Sequence, residues 1–101
     1  MSVAEIILEQ LGGKRFIVMT GARNFVGSDN SLKFRLPNNA KDGINTVEIT
    51  LEPSDTYKVR FLRVGDRRTN FRVTEKSVHE DIYNDVLVEL FERKTGLYTH
   101  L

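Results

Sequence analysis

The sequence predicts a two-layer α+β domain. An N-terminal and a C-terminal helix pack on one face of a five-stranded, antiparallel, meander-like sheet, in the order αβββββα. Three observations predict it. Each end of the chain carries an apolar stripe behind a capping signal, apolar and polar residues alternate with period two in several runs between them, and turn residues separate those runs. Two helices and a sheet that are each apolar on one side bury those sides against one another.

Ser2 followed by Glu5 is a capping box, and Val3, Ile6, Ile7 and Leu11 give a helix over residues 3–11 that Gly12-Gly13 ends. KRFIVMT is apolar on both faces, with Phe16 and Val18 pointing one way and Ile17 and Met19 the other, and reads as the opening half of a first strand covered on both sides. That strand continues through TGARN to Val26 and turns at GSDN, which sets Val26 opposite Ser31 and Phe25 opposite Leu32. Counting back by twos points Arg23 at the core. A β-bulge or bend near Gly21 or Ala22 would carry it to the rim, and whether Gly21 marks a bulge or a loop stays open. Next come SLKFRL, NTVEITLE, TYKVRFLRV and TNFRVTE, with Leu32, Phe34, Val47, Ile49, Val59, Phe61, Phe71 and Val73 on the core side. PNNAKDG, EPSDT and GDRR connect them. Ser77 and Glu80 form a second capping box ahead of Ile82, Tyr83, Val86, Leu87, Leu90 and Phe91 at helical spacing. Lys94 sits in the last turn of that helix, Gly96 stops it and Leu97 folds back.

Composition bounds the possibilities. The 101 residues make one domain, 1–101, and 40% apolar content is enough for one core. With no cysteine, disulfides and thiolate chemistry are excluded. The longest apolar run, FIVM, is far short of the roughly 20 residues a spanning helix needs, so no membrane partner is expected. MSVAEIILEQLGG carries Glu5 and Glu9 where a secretory leader would be basic, which makes a reducing cytoplasm the expected setting.

Chemistry-bearing clusters are scarce. His79 falls in the first turn of the terminal helix and His100 next to the last residue, neither beside a nucleophile and carboxylate at a familiar spacing. Asp81, Asp85, Glu89 and Glu92 run down one side of the same helix as a solvated ridge. TGARN lacks the second glycine and the Lys-Ser/Thr of a phosphate-binding loop. The expectation is a protein without catalytic residues, metal or cofactor.

The net charge of +1 conceals an uneven distribution. Lys33, Arg35, Lys58, Arg60 and Arg72 fall on the outward face of the sheet, with Arg67 and Arg68 in the adjoining turn, a pattern that can follow nucleic-acid phosphates. Glu48 and Glu52 lie on the strand between the basic ones and can instead neutralise them across the sheet. Leu62, outward among arginines, fits an anchor of a protein interface, and Arg23 with Asn24 fits a recognition loop or a plain turn at the sheet's edge.

LGG-x-x-F-x-x-MTGA-x-x-F, from Leu11 to Phe25, together with LKFRLP, AKDGIN, the D-x-Y-x-V-x-F of Asp55 to Phe61 and the terminal TGLYT, resembles a group of small bacteriophage and mobile-element proteins whose motifs carry no assigned activity. The resemblance covers nearly the whole chain. It implies a soluble protein acting inside an infected bacterial cell and gives no position a catalytic or binding role. The resulting expectation is a non-enzymatic accessory protein that binds a host or phage protein or pairs with a second copy as a homodimer. The alternative is nucleic-acid binding through the basic face of the sheet.

Overall fold

In the computed structural model, which describes residues 2–99, the first helix forms as its caps dictate. The Ser2 hydroxyl accepts the Glu5 N–H at 3.1 Å and donates to the Glu5 carboxylate at 3.0 Å, closing the capping box of α1 (Val3–Leu11). The Ser2 bonds hold the Glu5 carboxyl below its usual range. Ile7 and Leu11 enter the core.

KRFIVMT, expected as a strand, is a second helix, α2 (Lys14–Thr20), so the element order gains one helix ahead of the sheet. Phe16 and Thr20, one turn apart, are buried and Ile17 is half-buried, whereas Val18 is exposed. The β-branched residues here favour a strand locally, but the Phe16 ring lies 5.4 Å from that of Phe34 and 5.1 Å from that of Phe91, edge-on to both. Tertiary packing thus outweighs propensity. Gly21 is neither bulge nor loop: with φ 74° it is the left-handed cap of α2, and its N–H bonds to the Ile17 carbonyl.

The same stop ends both of the later helices. The Thr20 hydroxyl donates to the Phe16 carbonyl at 2.7 Å and accepts the Ala22 N–H at 3.2 Å; the Thr95 hydroxyl does the same with Phe91 and Leu97 at 2.7 and 3.2 Å. The shared pattern is Phe-x-x-x-Thr-Gly, with a buried threonine satisfying the last turn. Thr20→Val keeps the shape and strands both backbone groups, so it is expected to cost about 1–3 kcal/mol in a urea melt.

The sheet is an antiparallel meander in the order β1 (Arg23–Gly27), β2 (Ser31–Arg35), β3 (Thr46–Leu51), β4 (Tyr57–Val64) and β5 (Val73–Ile82). The first strand is shorter than expected and its hairpin register differs, with Gly27 opposite Leu32 and Val26 opposite Lys33. The period-two expectation holds for the central strands, where Leu32, Phe34, Val47, Ile49, Val59 and Phe61 are buried beneath the helices. α3 (Leu87–Thr95) adds Leu87, Leu90 and Phe91 to the same cluster, so all three helices cover one face.

The C-terminal third departs further from expectation. Ser77 and Glu80 cap no helix; both lie in β5, and α3 begins at Leu87 after a 3₁₀ turn at Asn84–Val86. β4 is 8 residues long, and its outer N–H and C=O groups need a partner of matching length. β5 supplies it by running 10 residues to Ile82, opposite Tyr57. Asp81, Asp85, Glu89 and Glu92 are thereby divided between strand, turn and helix and form no single ridge. Two extra residues interrupt β5. Phe61 faces Ser77 and Leu62 faces Glu75, which leaves Lys76 over, and a second irregularity between Tyr57 and Val59 coincides with Asp81 at φ 56°.

His79 therefore sits on a strand, its ring 5.8 Å from that of Phe61, while His100 lies outside the described residues. Burial, then the Lys94 and Arg93 cations, push the His79 imidazole below its ordinary value. The unfolded chain accepts that proton more readily, so this contribution to stability is complete above about pH 6.5 and is lost as pH falls through the lower folded-state value. His79→Gln is expected to flatten the acid limb of stability between about pH 7 and 5, measured by urea melts across that range.

Candidate nucleic-acid interface

The alternation that buries Leu32 and Phe34 sends Ser31, Lys33 and Arg35 to the opposite face of the sheet, beside Glu48 of β3 and Lys58 and Arg60 of β4. That face divides into two halves with different electrostatics.

One half is internally neutralised. The Arg60 guanidinium donates from Nη1 to Glu48 Oε1 at 2.8 Å and from Nε to Glu75 Oε2 at 2.9 Å. Glu48, then Glu75, hold its pKa above the ordinary value. Lys58 Nζ lies 3.9 Å from Glu80 Oε1. Glu52 plays no part in this. It lies past the end of β3, where its backbone closes the turn to Thr56 and Asp55.

In the other half the cations stand in no ion pair among the described residues. Lys33 stands opposite Glu48 in register, yet the Glu48 carboxylate turns to Arg60. Arg35 stands opposite Arg23 of β1, two like charges in a cross-strand pair that electrostatics alone disfavours. Arg67, Arg68 and Arg72 occupy the β4–β5 hairpin. Among the described residues, no carboxylate comes within ion-pair distance of any of these six.

Arg23 reaches this face through a bulge, which falls at Asn24 and not near Gly21 or Ala22. From Arg23 to Val26 is one residue more than from Arg35 to Lys33, and Asn24 takes φ 57°. Phe25 stays on the core side, its ring 5.4 Å from that of Phe34. Arg23 and Asn24 are thus at a structured bulge in β1, and Asn24 lines a depression of about 310 Å³ with Val26, Lys33, Arg35, Thr46 and Val64. Leu62, expected to point into solvent, is 3% exposed and flanked in register by Thr46 and Glu75.

A second depression of about 410 Å³ shares Arg35 and Val64 with the first and extends to the hairpin, where Phe71 lines it. Phe71 was expected on the core side of the last strand; instead it projects from the hairpin, 62% exposed. The hairpin is a longer loop than GDRR alone suggests. Asp66 Oδ1 accepts the Arg68 N–H at 2.9 Å, and the Asp66 carbonyl accepts the N–H groups of Thr69 at 3.2 Å and Phe71 at 2.8 Å. The Gly65 N–H bonds to the Arg72 carbonyl at 2.8 Å. A Cβ on Gly65 would collide with the Thr69 side chain, so only glycine lets the loop fold back this closely. At the base of the hairpin the Asn45 carboxamide acts as a strand partner, donating to the Val64 carbonyl at 2.9 Å and accepting the Val64 N–H at 2.8 Å.

A run of three arginines within six residues was visible in the sequence, but the outward turn of Phe71 was not. The available signal was Asn70, a residue that tolerates the left-handed conformation, directly before it. No protein-family model, curated protein or solved structure matches the chain. No helix among the described residues is long and apolar enough to cross a membrane.

Proposed function

We propose that the chain is a non-enzymatic nucleic-acid-binding module that acts in the cytoplasm of a bacterial cell. Its contact surface runs from the β1 bulge, across Lys33 and Arg35, to the β4–β5 hairpin. One observation carries this reading. The acidic residues of the outer face are consumed by Arg60 and Lys58, leaving Arg23, Lys33, Arg35, Arg67, Arg68 and Arg72 without a carboxylate partner among the described residues. Two of these cations are held opposite one another. A phosphate placed between Arg23 and Arg35 would turn their repulsion into a shared attraction.

The resemblance to bacteriophage proteins is consistent with such a setting. The docking of a protein partner, the first expectation from sequence, is weakened in two of the features that favoured it, although Val18 of the apolar segment stays exposed. The two-sided apolar strand is α2, with its core face already covered, and Leu62 is buried.

The test is fluorescence anisotropy with labelled DNA and RNA oligonucleotides over a range of salt. Engagement of four or five phosphates predicts a slope of log affinity on log salt of about −3 to −4. Absence of binding by tens of micromolar protein at low salt would sink the reading.

A further inference from the structure

The hairpin holds a second feature that backbone-phosphate binding alone does not use. Asn70 and Phe71 lie side by side in the left-handed region, at φ 58° and 57°. Asparagine visits that region readily, but for a bulky aromatic side chain it is an outlier, strained by its own Cβ. The strain is held in place by the Asp66 carbonyl, which takes the Phe71 N–H, and by the close Gly65–Thr69 approach beneath it. It brings the phenyl ring no core packing, because Phe71 is among the most exposed large apolar residues described. Backbone strain sustained by its surroundings, with a side chain presented outward, is the pattern of a recognition residue. The depression that Phe71 lines is also lined by Arg35, Arg63 and Asn38, which carry donors, and by Asp66, whose carboxylate is an acceptor that a phosphate could not use but a base amino group could.

We infer that Phe71 is a stacking platform for an unpaired nucleobase, so that the module selects single-stranded over duplex nucleic acid. This rests on the nucleic-acid reading above and deepens it. In a duplex every base face is already stacked, and the phenyl ring meets only the outside of the helix. On a single strand the ring takes one base while Arg67, Arg68 and Arg72 hold the flanking phosphates. Stacking on one aromatic side chain changes affinity by roughly 5- to 150-fold.

The experiment compares wild type, Phe71→Ala, Phe71→Trp and Phe71→Gly by anisotropy on a labelled oligothymidylate and on a duplex of equal length, with melting temperatures in parallel. Wild type is expected to bind the single strand about tenfold more tightly than the duplex. Phe71→Ala and Phe71→Gly are expected to weaken single-strand binding about tenfold and leave duplex binding unchanged, while Phe71→Trp keeps the wild-type preference. Phe71→Gly is also expected to melt at or above the wild-type temperature, because glycine relieves the left-handed strain. A fluorescent base analogue placed in the strand should be quenched by wild type and not by Phe71→Ala.

Equal binding of single strand and duplex, or single-strand binding that Phe71→Ala leaves intact, overturns this inference while the nucleic-acid reading stands. A marked fall in melting temperature for Phe71→Gly also overturns it, by assigning the ring a structural role. Failure to bind any oligonucleotide removes both. Binding of polyglutamate with the same dependence on Phe71 would overturn both in favour of an acidic protein partner.

Discussion

Phe34→Ala is expected to lower stability by about 3–5 kcal/mol, among the largest effects of any single truncation in this chain. Phe34 is fully buried, and its ring meets three others, Phe16 of α2, Phe25 of β1 and Phe91 of α3, at centroid separations of 5.4, 5.4 and 6.3 Å. Removing it leaves a cavity among three rings borne by different elements, which cannot all move in to fill it. A domain of this size has roughly 5–15 kcal/mol of stability, so the variant would keep only a fraction of it. The midpoint of thermal unfolding should fall by roughly 12–30 °C. Leu51→Ala, at a half-buried position near the end of β3, is the control and should cost distinctly less. If Phe34→Ala melts within about 5 °C of wild type, the aromatic cluster does not hold the helices to the sheet.

Simultaneous reversal of Arg67, Arg68 and Arg72 to Glu is expected to reduce affinity for oligonucleotides at low salt by at least about 100-fold and to flatten the salt slope by about 2–3. All three residues are exposed, and none is in an ion pair among the described residues, so the fold should be unaffected. The informative comparison is Arg60→Glu. Set against Arg68→Glu alone, which changes the net charge by the same amount, it alters a charge already held by Glu48 and Glu75. Arg60→Glu is therefore expected to weaken binding less than Arg68→Glu does, while costing at least about 1 kcal/mol of stability as two partly exposed ion pairs give way to repulsion among three carboxylates. Equal loss of binding in Arg60→Glu and Arg68→Glu would mean that net charge, and not the placement of unpaired cations, governs association.

The parts of this structure that were legible in the sequence are those whose information is local. α1 carries its own capping box and glycine stop, and β2, β3 and β4 alternate cleanly between turn residues. α2 was illegible because the residues that make it a helix are Phe34 and Phe91, far along the chain. A local signal does exist in the Phe-x-x-x-Thr-Gly shared by residues 16–21 and 91–96, since the second copy reads as a helix ending. Ser77 and Glu80 misled in the opposite direction: a good local cap yielded to the need of β4 for a hydrogen-bonded neighbour. At the candidate site the cations were readable one by one. Their partners were not, because either Lys33 or Arg60 can claim Glu48 from neighbouring strands, and only side-chain geometry decides for Arg60.

The bulges have a consequence beyond the side chains they re-aim. β1 and β5 are the two margins of the meander, where backbone N–H and C=O groups lie open to any extended chain that arrives. Both margins are broken: β1 at Asn24, and β5 at Lys76 and near Asp81. An incoming strand could zip against only a few residues before losing step. These breaks make edge-to-edge addition of a further strand less favourable on either side of the sheet.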